Sequence, residues 1–449
     1  MTAPARVVAY DALRAIAAGR VDLPAALARG RERLPDPRDR ALAADIVTGA
    51  LRWQRTLDFL VERFAERRVS TIDPEVLTIL RLSLYQILHL DRVPASAVVD
   101  DAVELTRYAR KTSAAGFTNA VLRALLRQRH RLPLPPRPGT GDRGAALAYL
   151  SITHSHPEWL VARWLDRHGF DAAERWVQFN NEAPRLTLRA NTLHADRDAL
   201  AAALATDGVA TEPTRHAPDG LVVVAGNPLT TPSAGAFVVQ DEASQLVSLT
   251  VAAEPGERVL DLCASPGGKT LALAAGMRDT GVLAACDVRA RRLRLLRETV
   301  RAGGAACVRL VHVPVAGALP FTACCDRVLV DAPCSGLGTI RRDPDLRWRR
   351  TDRDLEVFAR DQLALLVRAA AVVRKGGRLV YATCSSEPEE NEAVVDAFLA
   401  RSDEFTPLDL RVDAVAVLAP LLDDRGRLHT LPFAHGLEAF FAAALVRRG

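Results

Sequence analysis

The chain of 449 residues is 49% hydrophobic and 25% charged, which is the composition of a globular protein large enough for several domains. No apolar run approaches the roughly 18 residues of a membrane span, and the N-terminus lacks the basic and apolar regions of a signal peptide, so we expect a cytoplasmic protein. Its seven cysteines are odd in number and include no CxxC pair, which argues against a disulfide framework and against a zinc site.

Positive charge is concentrated toward the N-terminus. Residues 1–130 contain 21 Lys or Arg and 15 Asp or Glu, a net charge of +6, whereas the whole chain carries +5. A basic N-terminal domain favours a polyanionic partner. An ordinary solvated helical surface would carry the same excess, so charge alone does not identify the partner.

The first 131 residues are predicted to form a helical domain. Apolar residues recur at spacings of three and four in VLTILRLSLYQILHL and AVLRALLRQR, as on the buried faces of amphipathic helices. Asp73 and Pro74 stand where an N-cap and a first helical residue are expected. Residues 132–144 then contain four prolines and three glycines, so we predict a linker over 132–148.

The remainder is predicted to be α/β in two parts. Residues 149–235 mix helical segments, such as PEWLVARWLDRHG, with short strands in RLTLRAN and GLVVVAG. From 236 to 449 strands and helices alternate, which predicts a Rossmann-like, doubly wound domain with ligands beyond the carboxyl ends of its strands. Strands are expected at 258–262, 282–286, 307–311, 326–330 and 378–382, and a last one in LEAFFAAALVR.

The segment RVLDLCASPGGKTLALAAG predicts a strand, a glycine turn and a helix. It is not a P-loop, because Cys263 replaces the glycine required five positions before Gly268, and it lacks the G-x-G-x-x-G of a dinucleotide site. A loop for S-adenosylmethionine fits, because Gly267 and Gly268 let the backbone approach a ligand and the next helix offers N–H groups to its carboxylate. Asp287, at the end of the following strand, is suited to bind ribose hydroxyls. A plain turn between strand and helix is the alternative.

Two cysteines follow predicted strands in short turns. Cys334 lies in DAPCSG, and Cys384 lies 50 residues later in YATCSS. A cysteine at a strand end of this fold is placed to act as a nucleophile, although an inert buried thiol would fit the same position. The other five are interpreted as structural thiols, with Cys263 contacting a ligand through its backbone only.

Four motifs together resemble the RNA cytosine-C5 methyltransferases. DLCASPGGKT resembles the cofactor loop of that family, DAPCSGLGTIRRDPDLRW its substrate-side loop, YATCSSEPEENE its nucleophile loop, and FVVQDEASQLV the segment before the cofactor strand. In the front domain, DRALAADIVTGALRWQRTLD and GFTNAVLRALL resemble a NusB-type RNA-binding domain. The combination is similar to the RsmB (Fmu) type, which modifies small-subunit ribosomal RNA.

The resemblance implies an enzyme that uses S-adenosylmethionine to methylate C5 of a cytosine in 16S rRNA. We expect it to act as a monomer and without a metal. Cys384 would attack C6, Cys334 would assist release, and Asp331 would hydrogen-bond the base. Chemistry alone does not order the two cysteines, because DNA enzymes with related chemistry attack from the cysteine that follows proline. The implied cofactor-binding residues are Cys263, Ala264, Ser265, Pro266, Gly267, Gly268, Lys269, Asp287 and Asp331. Lys269 is expected to pair with Asp331 or with another acid of the site; the alternative is that it simply fills the start of the next helix.

Side chains that grip phosphates or stack on bases predict further RNA contacts. They are Arg185, Arg189, Asn191, Arg341, Arg342 and Trp348. The chain departs from the family pattern after the third strand, where an acidic residue usually lies near adenine and where His312 and Val313 stand here.

Two other functions stay open from the sequence: methylation of tRNA or another RNA, and a non-catalytic RNA-binding assembly factor. Retention of both cysteines, Asp331 and the glycine loop argues against the assembly factor.

Overall fold

The computed structural model describes residues 3–139, 141–412 and 416–449. Thr140 of the predicted linker, residues 413–415 of the predicted catalytic domain and the first two residues of the chain lie outside these ranges. The chain forms two compact units, of which the first comprises Met1–Glu182 and Ile340–Arg349 and the second Ala183–Thr339 and Arg350–Gly449. The segment 149–235, predicted as one subdomain, is thus divided at Glu182. Across the described ranges, no helix combines the length and the apolar character needed to cross a bilayer.

The first unit is helical, as the spacing of its apolar residues predicts. Helix α5 (Pro74–His89) begins where expected, because Asp73 Oδ1 accepts a hydrogen bond from the Glu75 N–H at 3.1 Å and Pro74 is the first helical residue. Leu57, Leu60 and Ile79 are fully buried in the shared core of these helices. The helices are α1 (Pro4–Ala17), α2 (Leu23–Arg33), α3 (Pro37–Arg52), α4 (Gln54–Ala65), α5 (Pro74–His89), α6 (Ala95–Tyr108), α7 (Ala115–Gln128), α8 (Arg143–Ala148), α9 (Glu158–His168) and α10 (Phe170–Asn181).

The second unit begins with a small antiparallel sheet in the order β2-β3-β1-β4. The predicted strands in RLTLRAN and GLVVVAG are its members β1 and β3. Leu188, Leu200 and Leu221 bury the face of the sheet against its helix. The elements are β1 (Thr187–Ala190), α11 (Arg197–Thr206), β2 (Ala210–Pro213), β3 (Gly220–Ala225) and β4 (Phe237–Val239).

The large sheet of the second unit has the order β10-β12-β9-β8-β5-β6-β7, with β11 paired to β12. Strands β5 to β9 are parallel, whereas β12 runs antiparallel to β9. The doubly wound prediction is confirmed. The elements are α12 (Glu242–Val251), β5 (Arg258–Asp261), α13 (Gly268–Gly276), β6 (Val282–Asp287), α14 (Ala290–Gly303), β7 (Val308–His312), β8 (Cys325–Asp331), α15 (Leu346–Arg349, in the first unit), α16 (Asp352–Ala370), β9 (Val373–Thr383), α17 (Glu392–Leu399), β10 (Phe405–Leu408), β11 (Leu428–Thr430), α18 (Pro432–His435) and β12 (Phe440–Arg447).

Strand order fixes where a ligand can bind in this sheet. The chain proceeds outward from β5 through β6 to β7, and then returns to the other side of β5 as β8. The crevice of a doubly wound sheet lies at such a reversal, beyond the carboxyl ends of the central strands. Asp261, Asp287, Asp331 and Thr383 are the last residues of four neighbouring parallel strands, so the residues after them share one edge.

Strand β9 is longer than predicted, since it begins at Val373 rather than near residue 378. The glycines of RKGG, which precede the predicted strand, lie within β9 as an irregularity in the pairing with β8. Gly376 adopts a φ of +73°, which a glycine reaches without strain. The glycines of RKGG therefore mark a bulge within one strand.

Candidate active site

The predicted cofactor loop joins β5 to α13 at the carboxyl edge of the sheet. Its backbone is fixed by hydrogen bonds from the Leu262 N–H to the Leu329 carbonyl at 3.0 Å and from the Ala264 N–H to the Cys286 carbonyl at 2.9 Å. Gly267 has a φ of +111°, and a Cβ there would lie 2.9 Å from Leu296 Cδ1 of α14. A side chain at this position would therefore meet both backbone strain and a packed neighbour.

Asp287 lies where a ribose-binding carboxylate is expected. It is only 4% exposed, and its Oδ1 accepts the Arg289 N–H at 2.8 Å. Its Oδ2 has no hydrogen-bond partner among the residues that the structure describes. The available carboxylate oxygen can accept from the ribose hydroxyls of S-adenosylmethionine. The N–H groups of the glycine turn and of the following helix N-terminus can donate to its methionine carboxylate.

The edge of β7 shows what replaces the family's acidic residue. The His312 imidazole Nε2 donates to the Val288 carbonyl at 3.1 Å, and Val313 is buried beside the end of β6, where its N–H donates to the Asp287 carbonyl. An imidazole tied to a backbone carbonyl and an apolar side chain therefore occupy the predicted adenine side.

A buried acid that the sequence analysis missed lies under the loop. Asp261 is 1% exposed, and its Oδ2 accepts a hydrogen bond from Thr270 Oγ1 at 2.7 Å. Burial raises the pKa of Asp261 to about 7. Its signal in the sequence was an acid one residue before the end of a predicted strand and a threonine in the first turn of the next helix.

Lys269 and Asp331 form the ion pair that the sequence analysis expected. Lys269 Nζ lies 2.8 Å from Asp331 Oδ2, and 5.6 Å from the centre of the Phe440 ring. Burial disfavours the ammonium, but the Asp331 carboxylate outweighs it, so the pKa of Lys269 is raised. The Asp331 side chain keeps 28% of its surface exposed, against 12% for Lys269, so the carboxylate is the member that a substrate can reach.

The two cysteines singled out in the sequence meet at this edge. Cys334 Sγ and Cys384 Sγ are 3.1 Å apart, both are free thiols, and both are partly exposed. The hydrogen bond to Cys384, together with burial, holds the pKa of the Cys334 thiol well above its usual range. The pair can therefore present one protonated thiol beside a second thiol that is available to react.

A buried carboxylate holds the two cysteine loops together from behind. Glu390 is fully buried and accepts hydrogen bonds from the Ser335 N–H at 2.8 Å, from Ser335 Oγ at 2.5 Å and from Ser385 Oγ at 2.5 Å. Gln362 Nε2 donates to the same carboxylate at 3.0 Å. This glutamate lies within EPEENE, and no role was predicted for it from the sequence. An acid shortly after the nucleophile motif was the only signal.

Gly338 forms a second link between the cysteine loops. Its N–H donates to the Cys384 carbonyl at 3.0 Å, and its own carbonyl accepts from the Ala439 N–H at 3.0 Å. A Cβ at Gly338 would lie 1.9 Å from the Ala439 carbonyl oxygen and 2.8 Å from that of Cys384. The close approach of three chain segments therefore requires glycine here.

Two of the residues predicted to contact RNA are buried and form hydrogen bonds within the second unit. Arg189 is 4% exposed; its Nε donates to Gln240 Oε1 at 2.8 Å and its Nη2 to the Gly268 carbonyl at 2.9 Å. Asn191 is 1% exposed, and its Nδ2 donates to the Gly303 carbonyl at 2.9 Å. The predicted RNA contact is wrong for both, because their N–H groups donate to carbonyls at the start of α13 and at the end of α14. Arg185 is exposed and its RNA contact stays a prediction.

The arginine-rich segment Ile340–Arg349 packs within the first unit instead of forming a free loop. Trp348 Nε1 donates to the Leu51 carbonyl at 2.6 Å, and the Arg341 guanidinium lies 4.2 Å from the centre of the Phe179 ring. Arg347, absent from the predicted set, is fully buried and donates to the Ser155 carbonyl at 2.9 Å. The side chains of Arg341 and Trp348 pack in this unit but remain partly exposed, so their contact with RNA stays a prediction. Arg342 is partly exposed and its RNA contact stays a prediction.

Comparisons with known proteins cover nearly the whole chain. Residues 3–127 match the NusB family, residues 156–230 the RsmF/B-like ferredoxin-like domain, and residues 248–446 the 16S rRNA methyltransferase RsmB/F. The probable ribosomal RNA small subunit methyltransferase B of Bacillus subtilis (strain 168) is 34% identical over 419 residues, covering 92% of this chain and 91% of the relative. The ribosomal RNA small subunit methyltransferase B of Pseudomonas putida is 33% identical over 463 residues, covering 98% of each chain. The crystal structure of PH0851 has a TM-score of 0.79 and 26% identity, with 99% of each chain covered.

Proposed function

Because the chain belongs to the 16S rRNA methyltransferase RsmB/F family, we propose that it methylates C5 of a cytosine in small-subunit ribosomal RNA through a covalent bond from Cys384 to C6 of the base. The resemblance drawn from the sequence motifs and the NusB-like N-terminal domain are confirmed by the same matches. The cofactor is S-adenosylmethionine. We propose the cytoplasm as the place of action, since the ribosomal RNA is there. One observation carries the chemistry: two free thiols lie 3.1 Å apart at the same sheet edge as the Lys269–Asp331 pair.

The cofactor is expected to bind over the loop from Cys263 to Gly268, with Asp287 Oδ2 accepting from the ribose. When bound, S-adenosylmethionine supplies an electrophilic methyl group on a sulfonium. Cytosine C5 is too weak a nucleophile to take that methyl group without activation. The protein's task is therefore to raise the electron density at C5.

Cys384 provides this activation in the proposed mechanism. Its thiol loses the proton to water and the resulting thiolate attacks C6. The electron pair of the C5=C6 bond moves toward C5, which can then take the methyl group. Two features favour Cys384 over Cys334 as the attacking thiol. The raised pKa of Cys334 keeps its proton in place, and the Lys269 ammonium interacts electrostatically with Cys384.

Asp331 orients the base in this proposal. Its carboxylate is partly exposed beside the thiols and is held in place by Lys269. A hydrogen bond from the exocyclic amine of cytosine to Asp331 would fix the ring over Cys384, and the paired charges would stabilise the electron-rich adduct.

Release of the product requires the loss of the proton from C5 and the breaking of the bond between C6 and the Cys384 sulfur. The C5 proton passes to water, its bond pair restores the C5=C6 bond, and the electron pair of the C6–S bond returns to Cys384. The thiol proton of Cys334, within hydrogen-bond distance of Cys384, stabilises the sulfur as it leaves. Cys334 acts after methyl transfer, whereas Cys384 acts before it.

A denaturing gel with labelled rRNA and cofactor tests the order of the two thiols. Cys384→Ala is expected to abolish methylation and to leave no protein–RNA adduct. Cys334→Ala is expected to accumulate an adduct that disappears in the double mutant. An adduct in Cys384→Ala and none in Cys334→Ala would reverse the assignment, and full activity in both single mutants would exclude the covalent mechanism.

The choice of RNA needs its own experiment. Bisulfite sequencing of total RNA from a strain lacking the protein, beside its parent, is expected to show the loss of one methylcytosine in small-subunit rRNA. Loss of a tRNA methylcytosine would favour the alternative substrate. An unchanged pattern would favour a non-catalytic assembly factor.

A further inference from the structure

Helix α14 and the residue before it carry six exposed arginines. They are Arg289, Arg291, Arg292, Arg294, Arg297 and Arg301. In the described part of the chain, none of their guanidinium groups forms a hydrogen bond or an ion pair. The helix contains a single acidic residue, Glu298. The net charge of the chain does not indicate this cluster, because the residues beyond the basic front domain are nearly neutral in sum.

These charges work against the stability of their own helix. The first turn contains no acidic residue and no side-chain cap, whereas Arg291 and Arg292 lie at the end where the helix dipole is positive. Arg291, Arg294 and Arg297 follow each other at spacings of three, and like charges at that spacing repel along a helix. Packing does not require them, because Leu296 and Gly303 supply the buried face. A bound polyanion would offset this unfavourable charge.

The position of α14 relates the arginines to the active site. The helix begins just after Asp287 at the carboxyl end of β6, and Ser265 Oγ of the cofactor loop donates to the Arg292 carbonyl at 3.2 Å. Leu296 packs against Gly267, so the inner face is fixed on the loop. The N-terminal arginines thus lie at the same sheet edge as the paired thiols.

From these observations we propose that the outer face of α14 binds the phosphate backbone of the RNA substrate near the target base. The inference rests on the proposed function in that the polyanion is taken to be RNA. Arginine suits this task, because its planar guanidinium grips phosphate oxygens with two donors at once. Contacts to phosphates hold the RNA in register without reading its sequence.

Salt dependence of binding distinguishes phosphate contacts from other effects. Each phosphate contact on a single strand contributes about 0.7 to the slope of log K against log salt concentration. The triple variant R291Q/R294Q/R297Q is therefore expected to bind RNA more weakly and to reduce that slope by about 2. The variant R291K/R294K/R297K keeps the charges and should retain most of the slope.

The experiment uses the full chain and a transcript of small-subunit rRNA, with poly(U) as a second probe. The matched control is R360Q/R401Q/R425Q, which removes three exposed arginines outside α14 and should leave the slope nearly unchanged. Affinity for S-adenosylmethionine, measured by calorimetry, should be the same in all variants. The midpoint of thermal unfolding should be equal or higher in the α14 glutamine variant, because repulsion is relieved.

The outcomes separate this inference from the proposed function. An α14 glutamine variant that matched the wild type in both affinity and slope would overturn the RNA surface and leave the proposed function intact. An equal loss of slope in the control variant would also overturn it, since the effect would be one of net charge. A wild-type protein that bound neither RNA would overturn both.

Discussion

Replacement of Glu390 tests whether the buried carboxylate positions the two thiols. Glu390→Ala removes the acceptor of hydrogen bonds from Ser335, Ser385 and Gln362, all of them within the second unit. The two serine hydroxyls can turn toward each other, because their oxygens are 3.3 Å apart. The Gln362 amide keeps its bond to the Pro333 carbonyl at 3.0 Å, but its second N–H loses its acceptor. The Ser335 N–H loses its acceptor as well, so two buried N–H groups are left without a partner.

The expected loss of stability follows from those two donors. A buried donor left without a partner costs about 1–3 kcal/mol, so Glu390→Ala should lower the free energy of unfolding by about 2–6 kcal/mol. Glu390→Gln keeps one acceptor oxygen and should cost less. Activity should fall in both variants, because Ser335 and Ser385 directly follow Cys334 and Cys384 and their displacement moves the two thiols apart. A misplacement of about 1 Å can cost on the order of 100-fold in rate.

Three measurements separate positioning from a general loss of folding. They are urea unfolding, methylation at saturating RNA and cofactor at a temperature where the variant is folded, and calorimetry with S-adenosylmethionine. We expect a lower rate at full occupancy with nearly unchanged cofactor affinity, and Glu356→Ala on the exposed side of α16 should match the wild type. Wild-type stability in Glu390→Ala, or a cofactor affinity that falls in step with the rate, would refute the positioning role.

Three further predictions concern the same edge of the sheet. Gly338→Ala should reduce methylation strongly, because its Cβ would lie 1.9 Å from the Ala439 carbonyl oxygen, whereas Gly116→Ala, where a Cβ meets nothing, should not. Asp287→Ala should weaken S-adenosylmethionine binding about tenfold or more by calorimetry, since a charge-assisted hydrogen bond is worth about 1.5–3 kcal/mol; unchanged affinity in the folded variant would remove it from the site. Burial raises the pKa of Asp261 to about 7, so the folded protein holds a proton that the unfolded chain loses near pH 4, and the free energy of unfolding should fall as pH rises between about 4 and 7. Urea unfolding of Asp261→Asn over that range should show a smaller dependence on pH, and an identical dependence would contradict the raised pKa.

The sequence predicted elements well where the pattern is local. The start of α5 at Pro74 followed from capping residues, and the strands predicted at 258–262 and 282–286 from apolar runs lie within one residue of β5 and β6. The surroundings of each arginine could not be predicted from the local pattern, because the sequence around an arginine does not show whether its guanidinium faces solvent or backbone carbonyls. Arg189 and Arg347 are buried against backbone carbonyls, whereas the arginines of α14 are exposed and unpaired. Tertiary packing decides between these states.

Strand order places Cys334 and Cys384 at one edge of the sheet, but it does not set the distance between their sulfur atoms. Strands β8 and β9 are parallel neighbours in which Asp331 lies opposite Ala382, so the crossover through α16 must bring the loops after them to one edge. Cys334 and Cys384 could therefore be expected near each other from strand order alone. A separation of 3.1 Å requires more, because loops at a shared edge can diverge. Glu390 holds the residues after both cysteines, and the Gly338 backbone bonds to the Cys384 carbonyl, so the spacing of the thiols depends on contacts between residues far apart in the chain.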